Sequence, residues 1–299
     1  MNFLSPAEVA SACCNTGKVK STMSIVKLFV LGILAGVYIG FGANLATVVG
    51  AGWPAEWADS GVNKFLFGAV FSVGLMMVVI GGAELFTGNN MFLTISALNN
   101  HATWGGLVYN WVVVFIANFV GSLLLMAIVF AGAYYANAEG ALTAAGIKAV
   151  AIAKGKLTLS WSQAFFRGIL CNWLVCMAVW LSVASKDVVG KIFAIFFPIM
   201  AFVTSGFEHS VANMYFIPMG IHIAGANPQA LVAVESLKFA SPEAVSSLFT
   251  YGNFIVNNLI PVTLGNIVGG GLFVAAFYWF AFLRQPAAAP ADKSKSAKA

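Results

Sequence analysis

The chain has 299 residues, of which 60% are hydrophobic and only 8% charged, with a formal net charge of +5 and a mean hydropathy of +0.89. Soluble domains carry about 25% charged residues, so a soluble globular protein is excluded, and a charge spread this thinly does not suit a nucleic-acid partner. Apolar runs of about 20 residues recur, long enough to cross a bilayer core. The short alternating segments of a β-barrel are absent. The expected fold is therefore an all-α polytopic membrane protein, with the lipid bilayer as its first partner.

Ser5-Pro6-Ala7-Glu8 reads as an N-cap, a proline at the first helical position and a capping-box glutamate. Residues 1–27 are thus expected to form a cytoplasmic interfacial helix. They carry Lys18, Lys20 and Lys27 but no apolar core, so a signal peptide is not expected. Spans are expected near 28–52, 65–98, 107–136, 162–185, 188–223 and 252–283, with 138–160 as a loop. The transmembrane domain then covers 28–285, and 286–299 is a disordered cytoplasmic tail. With both termini inside, nine lysines and arginines fall inside and six outside, a modest positive-inside bias. Cys13, Cys14, Cys171 and Cys176 lack metal-ligand spacing, so neither metal nor cofactor is expected.

Two of these spans are too long. A straight helix from Phe65 to Leu98 would measure about 50 Å against a core of about 30 Å. The run from Ile192 to Ile223 is nearly as long. Each has glycine near its middle, Gly81-Gly82 or Gly206. Both are read as broken helices, and unwound backbone at membrane depth survives only inside protein or along a cavity. "GAELFTGN" (82–89) and "GFEHSVAN" (206–213) share the pattern G-x-E-x4-N. "GIL" recurs at 32–34 and 168–170, and Asn110, Asn118 and Gly121 have the spacing of Asn258, Asn266 and Gly269. Three spans match the next three, and an odd number of crossings makes the copies inverted. The repeats run over about 28–136 and 162–283. Inverted repeats with paired broken helices mark transporters and channels and put the pathway where the breaks meet.

Within the second break, Glu208 and His209 stand side by side. An ionisable residue inside a membrane is costly to bury and so points to function. The stretches "ELFTGN", "NWLVCMAVW" (172–180), "SGFEHSVANMYFIPMGI" and "NLIPVTLGNIVGGG" resemble the formate/nitrite transporter family, nearest its formate channels. That resemblance implies an aquaporin-like protomer of six spans in a homopentamer, one pore per subunit, in the inner (cytoplasmic) membrane. The implied substrate is a small monovalent weak-acid anion. Formate leads, with nitrite, acetate, lactate and hydrosulfide as further candidates.

The resemblance also assigns roles. His209 would donate a hydrogen bond or proton to the anion at mid-pore, with Thr87 on the opposite wall and Gly88 supplying unusual backbone angles. Asn172 would bond the histidine and set its tautomer. Phe71, Leu75 and Phe202 would form two apolar constrictions around the polar centre. Lys156, sixteen residues before Asn172, would draw anions into the outer vestibule, with Lys154 as its rival. Glu208 and Glu84 are expected to support the breaks by bonding freed backbone N–H groups, and Asn89 and Asn213 to cap the resumed half-helices. An aquaporin-type channel for neutral solutes would show paired NPA repeats, which neither break has. An intramembrane enzyme would need converging ligands or acids, and only His209 and His222 lie near one another. No enzymatic activity is expected.

Overall fold

The computed structural model describes residues 3–133, 135–136 and 141–284, so the tail expected at 286–299 lies outside the described residues. Ten helices carry the architecture: α1 (Pro6–Ser21), α2 (Ile25–Val49), α3 (Gly61–Gly81), α4 (Phe86–Leu98), α5 (Trp104–Ala131), α6 (Ala144–Leu157), α7 (Trp161–Ala184), α8 (Val188–Thr204), α9 (Ser210–Ala226) and α10 (Tyr251–Phe282). Five of them are long and apolar enough to cross a membrane, namely α2, α3, α5, α7 and α10. The shorter α4 and α9 continue α3 and α8 beyond a break, giving six passages.

The six passages form two inverted three-helix repeats, α2 with α3/α4 and α5, then α7 with α8/α9 and α10. Packing follows the duplication. In the first repeat α2 lies on α5 and α3; in the second α7 lies on α10 and α8, and α3 meets α8 across the middle. Small residues make these approaches. A side chain at Gly36 would strike the Asn118 carbonyl on α5, and one at Gly265 or Gly269 would strike backbone of α7. The glycine spacings therefore serve contacts within the protomer, where close backbone packing replaces the missing hydrophobic drive between helices in lipid. Outward faces carry large apolar residues such as Phe29, Phe41, Ile116 and Ile128, suited to lipid or to another apolar surface.

The breaks fall at the glycines. α3 stops at Gly82, whose φ of +80° is left-handed, and α8 stops just before Gly206, with φ of +71°. Only glycine adopts that region without cost. α10 instead stays continuous, but loosens into π-helical turns over Phe254–Leu259 and Val268–Ala276.

Two features differ from the sequence expectation. Residues 144–157 form helix α6 rather than part of a loop; Thr143 caps it through the Gly146 N–H, and it packs on α9. α1 has the expected capping box, Ser5 and Glu8 bonding reciprocally. Yet α1 does more than lie at an interface: it buries Val9, Ala10, Cys13 and Cys14 and docks on α4. α1 stands to α4 as α6 stands to α9, so each repeat begins with a short helix laid over its own half-helix.

A candidate pore between two vestibules

Each break frees backbone polar groups at membrane depth, and these must find partners. The Phe86 N–H donates to Asn118 Oδ1 (2.9 Å), and Asn118 Nδ2 donates to the carbonyls of Gly32 (2.8 Å) and Glu84 (2.9 Å). In the second repeat the Ser210 N–H donates to Asn266 Oδ1 (2.9 Å), and Asn266 Nδ2 donates to Gly168 (2.8 Å) and Glu208 (3.0 Å). The N–H groups of Glu84 and Glu208 reach the carbonyls of Leu31 and Arg167. Two buried asparagines thus do the work that the sequence reading gave to the glutamates.

The glutamate side chains are occupied elsewhere. Glu84 pairs with Lys20 of α1 (2.5 Å) and accepts from Asn89 (2.8 Å), which also donates to Asn110 (2.9 Å). Asn110 in turn holds the Lys20 carbonyl (3.1 Å). Glu208 pairs with Lys156 of α6 (2.9 Å) and accepts from Asn213 (2.7 Å) and Asn258 (3.3 Å). Asn213 also donates to Asn258 (2.7 Å), which holds the Lys156 carbonyl (3.1 Å). Asn89 and Asn213 are therefore links in these charge networks rather than helix caps. Lys156, not Lys154, lines the cavity that His209 also lines. Lys154 turns to the Leu237 carbonyl and the face of Phe239.

His209 is the N-cap of α9. Its Nδ1 accepts the Ala212 N–H (3.0 Å), and its Nε2 lies 2.9 Å from Thr87 Oγ1. A nitrogen that accepts carries no proton, so the ring is the Nε2–H tautomer and donates to the threonine. The ring is almost wholly buried, and Phe202 stacks on it at 6.0 Å. Phe71 meets Phe202 edge-on at 5.9 Å. Asn172 does not set the tautomer: its Nδ2 is shared among the Thr87 carbonyl (3.1 Å), Asn90 Oδ1 (3.2 Å) and the Asn266 carbonyl (2.7 Å). It fixes the threonine's backbone instead. Gly88 is ordinary helix in the first turn of α4; the unusual angles belong to Gly82 and Gly206.

Two cavities approach the His209–Thr87 contact: His209 lines one, and Gly88, next to Thr87, lines the other. One, of about 280 Å³, is lined by Phe71, Phe202, Lys156, Arg167, Glu208 and His209. The other, of about 230 Å³, is lined by Leu75, Gly88, Glu84, Asn89, Lys20 and Lys191. Phe71 and Leu75, one turn apart on α3, border opposite cavities. Lys20, Lys191, Arg167, Asn118 and Asn266 had no role at the site in the sequence reading. The repeated Asn110/Asn118 and Asn258/Asn266 spacing was the visible trace of the two asparagines.

Among the described residues no group of three or more His, Cys, Asp or Glu side chains could hold a metal ion. A waist of one imidazole and one hydroxyl, with a lysine in each flanking cavity, suits passage of a small anion or its acid. The formate/nitrite transporter profile matches residues 7–280. This chain belongs to the formate/nitrite transporter family. It is 45% identical over 294 residues to a probable formate transporter of Methanothermobacter thermautotrophicus, covering 95% of this chain and 99% of that one. It is 39% identical over 287 residues to the formate channel FocA of Escherichia coli (strain K12), covering 95% and 96%. A solved structure described as a pentameric formate channel with formate bound superposes with a TM-score of 0.74 at 40% identity, over 87% of this chain and 98% of that one. A formate/nitrite transporter family member is a membrane transport protein, not an enzyme.

Proposed function

We propose that this protein is a homopentameric channel of the inner membrane, with both termini cytoplasmic. It passes formate as the neutral acid, with a proton handled at His209. The observation that carries the reading is the Nε2–H bond from His209 to Thr87 at a waist closed by Phe71, Phe202 and Leu75. Transferring a carboxylate-sized ion into low dielectric costs about 20 kcal/mol in the idealised limit, and several remain after relaxation. Protonating an acid of pKa about 3.7 at pH 7 costs roughly 4 kcal/mol, so protonation is the cheaper route past an apolar ring. An anion arriving beside Lys156 or Lys20 hydrogen-bonds to the ring's Nε2–H; a proton from the water of the same cavity adds at Nδ1, which lets go of the Ala212 N–H, and the Nε2–H proton passes to the anion, so that the acid moves on and the ring is left neutral. Imidazole suits the step because it has two ring nitrogens, so one can gain a proton as the other gives one up. Formate ranks first because formate transporters and channels stand among the relatives.

Uptake of labelled formate by proteoliposomes, with and without an imposed proton gradient, tests this. An inward proton gradient is expected to drive formate inward above equilibrium, and acetate, lactate, nitrite and hydrosulfide to compete in proportion to their passage. Uptake no faster than in protein-free liposomes would end the proposal.

A further inference from the structure

Gly88 stands beside the waist without the reasons that account for the other pore glycines. Gly82 and Gly206 have left-handed backbone, and Gly36 and Gly265 let a neighbouring helix approach. Gly88 has neither need. It lies in ordinary helix in the first turn of α4, next to Thr87. It is buried, yet a Cβ added there would meet one atom within 4 Å, apart from its chain neighbours and the backbone of its own helix. That atom is Val179 Cγ2 at 3.7 Å, an ordinary van der Waals contact. Glycine is also a poorer helix former than alanine, so neither backbone nor packing explains it.

The second repeat shows that the scaffold accepts a methyl group at this place. Setting "GAELFTGN" against "GFEHSVAN" puts Ala212 where the first repeat has Gly88. Ala212 stands in the first turn of α9 and lines the Lys156 cavity, as Gly88 lines the Lys20 cavity. What the glycine leaves is room. On the Lys156 side, Phe71 and Phe202 meet at 5.9 Å, and each is stacked on a further ring, Phe216 or His209. On the Lys20 side the wall nearest Thr87 is aliphatic, with Leu75 of α3 and Val179 of α7 lining the same cavity as Gly88. A methyl group takes roughly the room of one water, about 30 Å³, which is a large share of a molecule of a few heavy atoms.

We propose that Gly88, with Val179 beside it, is a specificity-determining clearance of the pore. It makes room for the carbon substituent of a monocarboxylic acid whose carboxyl group stands at His209 and Thr87. The inference rests on the transport reading and adds a substrate class to it. Acids with a one- or two-carbon substituent, such as acetate and lactate, pass as well as formate because position 88 has no side chain. Formate, whose carboxyl carbon bears only hydrogen, does not use the space.

Proteoliposome uptake of labelled formate, acetate and lactate under one proton gradient, beside thermal unfolding in detergent, tests the assignment. Gly88→Ala is expected to unfold no lower than wild type and to keep most of the formate rate. Its lactate-to-formate rate ratio should fall at least about tenfold, the discrimination that one carbon commands in an apolar pocket, with acetate between the two. Val179→Ala is expected to raise that ratio above wild type. The double variant should return it towards the wild-type value, because both positions border one space. A glycine that only held α4 in place would instead lower all three rates together, along with the unfolding temperature. Formate and lactate falling in step in Gly88→Ala, or a double variant no better than Gly88→Ala, overturns the clearance and leaves transport standing. Wild type that moves formate but neither larger acid does the same. No uptake of any of the three acids by wild type overturns the transport reading and the clearance with it.

Discussion

The two helix breaks share a scaffold and differ in chemistry. Lys20, Glu84, Asn89 and Asn110 reproduce the bonds of Lys156, Glu208, Asn213 and Asn258, save that Asn258 also donates to Glu208, and Asn118 reproduces Asn266. In that frame the residue after the glutamate is Leu85 in the first break and His209 in the second. Leu85 precedes α4 without a side-chain cap, whereas His209 caps α9 and turns its other nitrogen to Thr87. The carbonyl that receives the glutamate N–H belongs to Leu31 in one half and Arg167 in the other. The duplication thus supplies two equivalent supports for unwound backbone, and only the second break adds an imidazole.

If the two supports are equivalent, breaking either should cost the same. The largest effect is expected at their buried charges. Glu84→Ala and Glu208→Ala each strand a half-enclosed ammonium, and breaking such a pair costs about 3–5 kcal/mol. Thermal unfolding in detergent should show a large and similar drop for both; a drop in only one would deny the equivalence. Asn118→Leu and Asn266→Leu follow. Each leaves one N–H and the glutamate carbonyl of its break short of a partner, at about 1–3 kcal/mol per unsatisfied group, and the same unfolding assay reads the loss. Gly82→Ala and Gly206→Ala rank below these. An added Cβ meets nothing at either position, so only the left-handed backbone penalises it, at about 1–2 kcal/mol. Ser5→Ala is the smallest, about 1 kcal/mol of cap energy, visible as faster amide exchange over the first turn of α1 while α4 stays protected.

The breaks were legible in the sequence because an apolar run longer than the bilayer core is thick must bend or unwind, and glycine marks where. His209 was legible because nothing else ionisable but Glu208 stands near it in its run. The lids α1 and α6 were harder. Each is short, and the partner of each terminal lysine lies 64 or 52 residues along the chain, a distance that local spacing does not reveal. Reading 138–160 as a loop also left Lys154 and Lys156 as rivals. On a helix, two residues apart means about 200°, so one faces the cavity that His209 lines and the other faces Leu237. Asn118 and Asn266 could be seen to repeat, but spacing says that an asparagine is buried without saying which atoms it satisfies. For the same reason Asn172 was assigned to the ring, when it holds the Thr87 carbonyl.

Transport as proposed depends on the His209 ring, bonded through Nε2–H to Thr87, exchanging the proton that lets the acid through. Initial rates of formate uptake from about pH 5 to 8, measured for wild type and His209→Asn in matched proteoliposomes, isolate that step. Wild type is expected to show a steep pH dependence, and the variant slow, nearly pH-independent uptake. An identical pH profile at comparable rate in His209→Asn would refute the role given to the ring.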